Sequence, residues 1–205
     1  INVLPESIGQ INELRALYIE FNQLDDLPVS MSNMKNLREL DISDNKISKL
    51  PKCISGLENL LILQLQGNPL LSIHESIGEL KNLEELIFAR NHFEKLPESL
   101  GQLKNLKSLA VYSTPIKDLP ESLFHLVNLE ELTLFETQMN TLSDSIGKLQ
   151  NLKILNVGRN QITNIPESVW DLEELETLSL GGNQIKNLPE GVGKLKKLTH
   201  IFSGI

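Results

Sequence analysis

At 205 residues the chain is long enough for one sizeable domain; 40% of it is hydrophobic but only 4% aromatic, so its core must be aliphatic. A formal net charge of −8 repels phosphate, which argues against nucleic acid and against an anionic membrane surface as partner. No apolar run approaches the ~18 residues of a bilayer span, so no membrane insertion is expected, and the single cysteine, Cys53, excludes an internal disulfide and a paired-cysteine metal site.

Residues 1–13 read as the end of a repeat whose next copy starts at Leu14. Leucine then returns at Leu37, Leu60, Leu83, Leu106, Leu129, Leu152, Leu175 and Leu198, every interval being 23 residues. Full repeats therefore start at residues 14, 37, 60, 83, 106, 129, 152 and 175, a partial one covers 198–205, and the whole of 1–205 is one domain. Positions are numbered from that leucine. Positions 4 and 6 are apolar, from Leu17 and Ile19 to Leu178 and Leu180, with a variable residue between. That alternation predicts a short strand with one side buried, over about positions 4 to 6.

Position 9 is Asn22, Asn45, Asn68, Asn91, Thr114, Thr137, Asn160 and Asn183. Asparagine there can turn the chain and hydrogen-bond neighbouring backbone from inside the coil. Threonine lacks the amide donors, so weaker turns are expected at Thr114 and Thr137. Next comes Leu-Pro-Glu-Ser, as at Leu96–Ser99. Proline suits a first helical position and the acid suits the helix dipole, so a short helix or helical turn should run on to position 21. Glycine at position 19 (Gly78, Gly101, Gly147, Gly193) would allow close packing, and Phe124 and Trp170, at the same position, are expected to fill the convex side.

A single repeat cannot bury its own apolar face, so stability must belong to the stack. The expected fold is α/β: a curved right-handed solenoid, with a parallel sheet on the concave face and short helices or helical turns on the convex face. The pattern LxxLxLxxNxLxxLPxxIGxLxxL resembles the 23-residue class of leucine-rich repeats over the whole chain. Similar repeats occur in Ras-pathway scaffolds, in plant intracellular Ras-group proteins and in bacterial proteins, notably of spirochaetes. The resemblance implies protein recognition and no particular partner. The missing disulfide caps point to the cytoplasm or to a bacterial secreted or surface protein, not to a disulfide-rich eukaryotic secreted one.

No catalytic constellation, cofactor motif or metal site is present in the sequence, so no enzyme activity is expected. His74 replaces proline at position 15, Cys53 replaces a serine found in six of the eight full repeats, and neither has a catalytic partner in the pattern. Gly191-Val192-Gly193-Lys194 lacks both the first glycine and the Ser or Thr of a phosphate loop. Glutamates at position 16, such as Glu75, Glu121 and Glu167, read as a solvated convex rim.

Positions 3, 5, 7, 8 and 10 should face the concave side free of core duty. They are polar in repeat 37–59 and small in repeat 175–197, but gain aromatic and cationic residues between. A partner-binding surface is therefore placed on Ile87, Arg90, His92, Tyr112, Phe135, Glu136 and Arg159, with Tyr112 and Phe135 as neighbours and Glu136 near Arg159. Tyr18 and Phe21 form a second aromatic group near residue 1. Two functions follow. One is a protein-binding scaffold, such as a bacterial host-interaction or surface protein. The alternative is the recognition arm of a larger GTPase- or ubiquitin-ligase-linked enzyme, or an intracellular signalling scaffold.

Overall fold

The computed structural model describes residues 1–204. Nine strands, β1 Ala16–Tyr18, β2 Glu39–Asp41, β3 Ile62–Gln64, β4 Glu85–Ile87, β5 Ser108–Ala110, β6 Glu131–Thr133, β7 Ile154–Asn156, β8 Thr177–Ser179 and β9 His200–Phe202, lie in one open parallel sheet in chain order. The register sets position 4 on position 4 throughout, from Leu17 opposite Leu40 to Leu178 opposite Ile201. Each strand is three residues long and covers positions 3 to 5, one residue earlier than the alternation suggests. In β2 to β8 the central side chain is buried and its flanking residues are more exposed, which fixes positions 3 and 5 on the face away from the core. Leu63 and Leu132 are fully buried, as a one-sided strand requires.

Between the strands, on the opposite side, run 3-10 turns rather than α-helices: Glu6–Gln10, Val29–Asn33, Lys52–Gly56, Glu75–Glu79, Glu98–Gln102, Glu121–His125, Asp144–Lys148, Glu167–Asp171 and Glu190–Lys194. This tighter helix is the form commonly taken by short connecting segments. Proline precedes the turn in extended conformation (Pro97: φ −74°, ψ 151°) and is not its first residue as expected. Where proline is missing, the substitute supplies a cap: the His74 ring Nδ1 accepts from the Ser76 N–H at 3.1 Å and the Ser143 hydroxyl from the Ser145 N–H at 3.1 Å.

Three seams of side chains join successive repeats. The first is the expected one at position 9. Asn45, Asn68, Asn91, Asn160 and Asn183 donate to the position-6 carbonyl of the preceding repeat at 2.7–3.1 Å. Their Oδ1 atoms accept the position-11 N–H of that repeat (Leu24, Ile47, Leu70, Met139, Ile162) at 2.9–3.3 Å. The two threonines differ. Thr137 donates its hydroxyl to Asn160 Oδ1 at 2.5 Å, whereas the buried Thr114 hydroxyl has no partner among the described residues. The weak turn is thus centred on Thr114.

The second seam was not anticipated. Asn36, Asn59, Asn82, Asn105, Asn128 and Asn151, all at position 23, donate to the position-22 carbonyl of the preceding repeat at 2.7–2.9 Å. At the end of this column Glu174 and Lys197 stand instead and pair with each other at 2.6 Å. The third seam corrects the reading of the position-16 acids as a merely solvated rim. Glu75 accepts the Ser99 N–H at 2.9 Å, Glu98 the Ser122 N–H at 3.2 Å, and Glu121 the hydroxyls of Ser143 and Ser145 at 3.1 and 2.9 Å. These carboxylates cap the start of the following turn.

Glycine at position 19 lets adjacent turns touch: a Cβ on Gly101 would lie 2.4 Å from the Ser122 carbonyl oxygen. Phe124 and Trp170 occupy that position in two repeats and are buried there as fillers. Trp170 fits because its neighbour in the next repeat is Gly191, where a Cβ would meet the indole Cδ1 at 2.5 Å.

Two consequences are measurable. Thr114→Asn restores the missing amide and should raise unfolding free energy by about 0.5–1.5 kcal/mol, the usual net worth of one hydrogen bond. Thr137→Asn should gain less, since its hydroxyl is already used. A chemical denaturation curve that shows Thr114→Asn destabilised would contradict the ladder. In the third seam, bonds from the Ser145 and then the Ser143 hydroxyl hold the Glu121 carboxyl below the ordinary glutamate value. A depressed folded-state value means stability that is present above the unfolded glutamate value, about 4.3, and is lost as pH falls below it. Glu121→Gln should therefore flatten the acid limb of the denaturation midpoint between about pH 5 and pH 3; an unchanged limb would show that the bridge carries no linkage.

Candidate binding surface on the strand face

Position 8 follows each strand and has left-handed backbone in all eight full repeats: Phe21, Asp44, Gly67, Arg90, Ser113, Glu136, Arg159 and Gly182 have φ between 51° and 72°. The turn imposes this geometry, which only glycine adopts without cost. It also points the position-8 side chain away from the core. Arg90, Glu136 and Arg159 are accordingly exposed, as is His92 at position 10. Ile87, at the end of β4, and the position-7 rings of Tyr112 and Phe135 are half-buried.

The seven expected residues do not form one cluster. Arg90 turns back across Gly67 and reaches Asp44, two repeats earlier, at 3.1 Å. The bare Gly67 makes this possible, since a Cβ there would lie 2.2 Å from Asp44 Oδ1. Phe135, Glu136 and Arg159 do come together. The Arg159 guanidinium lies 5.3 Å from the centre of the Phe135 ring, a cation–π arrangement. Its Nη1 is 4.0 Å from Glu136 Oε1, and the Ser113 hydroxyl donates to Glu136 Oε2 at 2.8 Å. Both charged groups are more than half exposed, so the ion pair orients Arg159 rather than stabilising the fold. Tyr112 and Phe135 are adjacent through the backbone, Ser113 N–H bonding to the Phe135 carbonyl, but their rings do not stack.

The structure adds residues that the sequence reading passed over. Beyond Phe135, position 7 is Gly158, Gly181 and Gly204; Gly158 is buried beside the Phe135 ring, and Gly181 and Gly204 carry no side chain to cover the backbone. A shallow trough of about 350 Å3 runs along this column, lined by Phe135, Asn156, Arg159, Ser179 and Phe202. The signal lay in column 7, where two aromatics are followed by three glycines. Cys53 is buried and its thiol is pushed up to about 12, chiefly by desolvation, so it is no nucleophile. Among the described residues no group of His, Cys, Asp and Glu is placed to hold a metal ion, and no helix is long and apolar enough to cross a membrane.

The sequence matches the model of a leucine-rich repeat region over residues 2–111 and 136–204. The chain belongs to the leucine-rich repeat family. None of the curated proteins compared matches it. Among solved structures, a leucine-rich repeat protein of Leptospira interrogans is similar, with 32% identity and a TM-score of 0.91 over 97% of this chain and 51% of that one. An internalin of Listeria monocytogenes shares the fold, with 24% identity and a TM-score of 0.82 over 98% of this chain and 64% of that one. So does the leucine-rich repeat ectodomain of the Arabidopsis thaliana receptor kinase GASSHO1/SCHENGEN3, in complex with CASPARIAN STRIP INTEGRITY FACTOR 2. It shows 25% identity and a TM-score of 0.78 over 98% of this chain and 28% of that one. This leucine-rich repeat chain thus spans about half of the Leptospira protein and less than two thirds of the internalin.

Proposed function

We propose that the chain is a non-catalytic scaffold whose concave strand face binds a protein partner across Ile87, Arg90, His92, Tyr112, Phe135, Glu136 and Arg159. One observation carries this reading: an arginine held over an aromatic ring at the mouth of a glycine-floored trough. Tyrosine, phenylalanine and arginine beside a cavity are what interface anchors are made of. Gly181 and Gly204 also let a partner's backbone come close to the chain between those side chains. The receptor-kinase ectodomain bound to its factor supports a binding role for such a fold, and the Leptospira likeness favours a bacterial source. A second reading, the recognition arm of a longer enzyme or signalling protein, draws support from the greater length of these relatives.

Truncating an interface anchor costs about 2 kcal/mol or more. Tyr112→Ala with Phe135→Ala should weaken a partner isolated with the wild-type chain by at least about thirtyfold. The fold should survive, because Tyr112 and Phe135 are half-buried and neither belongs to the buried apolar core. Glu79→Lys, on an exposed 3-10 turn, serves as the opposite-face control. Surface plasmon resonance on the three chains decides: normal binding by the double variant with loss in Glu79→Lys would move the interface to the other face.

A further inference from the structure

Phe21 is in two unfavourable situations at once. Its φ of 55° puts a bulky side chain in left-handed backbone, and 78% of the residue is exposed. The other seven residues at position 8 are polar or glycine. At interior repeats the position-8 side chains range from mostly covered to open: Asp44 is 22% exposed, Arg90 56% and Arg159 66%. Tyr18, 59% exposed at the end of β1, adds a second ring three residues away. The turn sets this φ in every repeat, so what distinguishes Phe21 is an exposed aromatic side chain at a position otherwise polar or glycine, beside a second exposed ring.

The surroundings state what would cover the pair. Tyr18 sits opposite Asp41 in the sheet and its hydroxyl donates to Glu39. Glu20 precedes Phe21. None of Glu20, Glu39 and Asp41 meets a cationic side chain among the described residues. Asp44 is the one acid of the area that is neutralised, by Arg90. An apolar pair rimmed by three uncompensated carboxylates complements lysine or arginine flanking an apolar group.

We propose that Tyr18 and Phe21 anchor a second docking surface, separate from the trough at Phe135, whose occupant is a basic segment of a partner protein carrying an aromatic or long aliphatic side chain between cations.

A random peptide library displayed on phage is selected on the wild-type chain at low salt and counter-selected on Phe21→Asn. Asparagine tolerates left-handed backbone, so this variant should fold at least as well, which circular dichroism on heating checks. Surviving peptides should carry Lys or Arg beside an apolar residue. They should bind Phe21→Asn and Tyr18→Ala roughly tenfold or more weakly, and lose affinity as salt is raised. They should bind Phe135→Ala as they bind wild type, which separates this surface from the strand-face reading. The proposal is overturned if no peptide survives counter-selection, if the survivors are neutral or acidic, or if Phe135→Ala and not Phe21→Asn abolishes binding. Phe21-dependent self-association in sedimentation would overturn it as well, by making a second copy the occupant.

Discussion

The turn after each strand buries backbone that no neighbouring backbone can satisfy. A position-11 N–H and the carbonyls of positions 6 and 7 all face inward there, and each would cost about 1–3 kcal/mol if left bare. One short side chain with an acceptor and two donors answers all of them, and asparagine is that side chain. Asn45 alone reaches Ile19, Leu24, Ile42 and Ser43. Since two of those partners belong to the preceding repeat, no repeat is satisfied by itself. The array is the folding unit because hydrogen bonding, and not burial alone, is shared between neighbours.

The other two seams repeat the same logic at different depths. Position 23 ties the start of each strand to the repeat before it, and position 16 ties one 3-10 turn to the next. Together with the apolar positions, these seams occupy most of each repeat. What remains free lies on the strand face and at position 8, where the turn forces the side chain outward. Residues there can change without touching core or seams, so recognition and stability are carried by different positions. Phe135 with Arg159, and Tyr18 with Phe21, stand at such free positions.

The 23-residue spacing made the parallel sheet, its register and the buried leucines legible, because one-sided strands stacked in register leave no other arrangement. Asparagine's valence made the position-9 bonds legible too. The burial of Phe124 and Trp170 followed from their place among small residues. Other features depend on distances that spacing does not encode. The helical segment is too short for an α-helix, and its proline stands one residue outside it. The position-23 asparagines are as regular in sequence as those of position 9, but their acceptors are visible only once adjacent repeats are superposed. Arg90 leaves the expected cluster because Gly67 opens a path to Asp44. Thr114 and Thr137 look alike in sequence and differ because Asn160 follows one of them and Thr137 the other.

Native-state hydrogen exchange measures the dependence on the position-9 amide most directly. The N–H groups of Ile47, Leu70 and Ile162 donate to asparagine, while those of Phe93 and Ile116 face threonine and have no acceptor among the described residues. Phe93 and Ile116 should exchange several-fold faster or more than the other three, by about the worth of one buried hydrogen bond. Equal protection at all five amides would contradict the asparagine column as the constraint on which the stack depends.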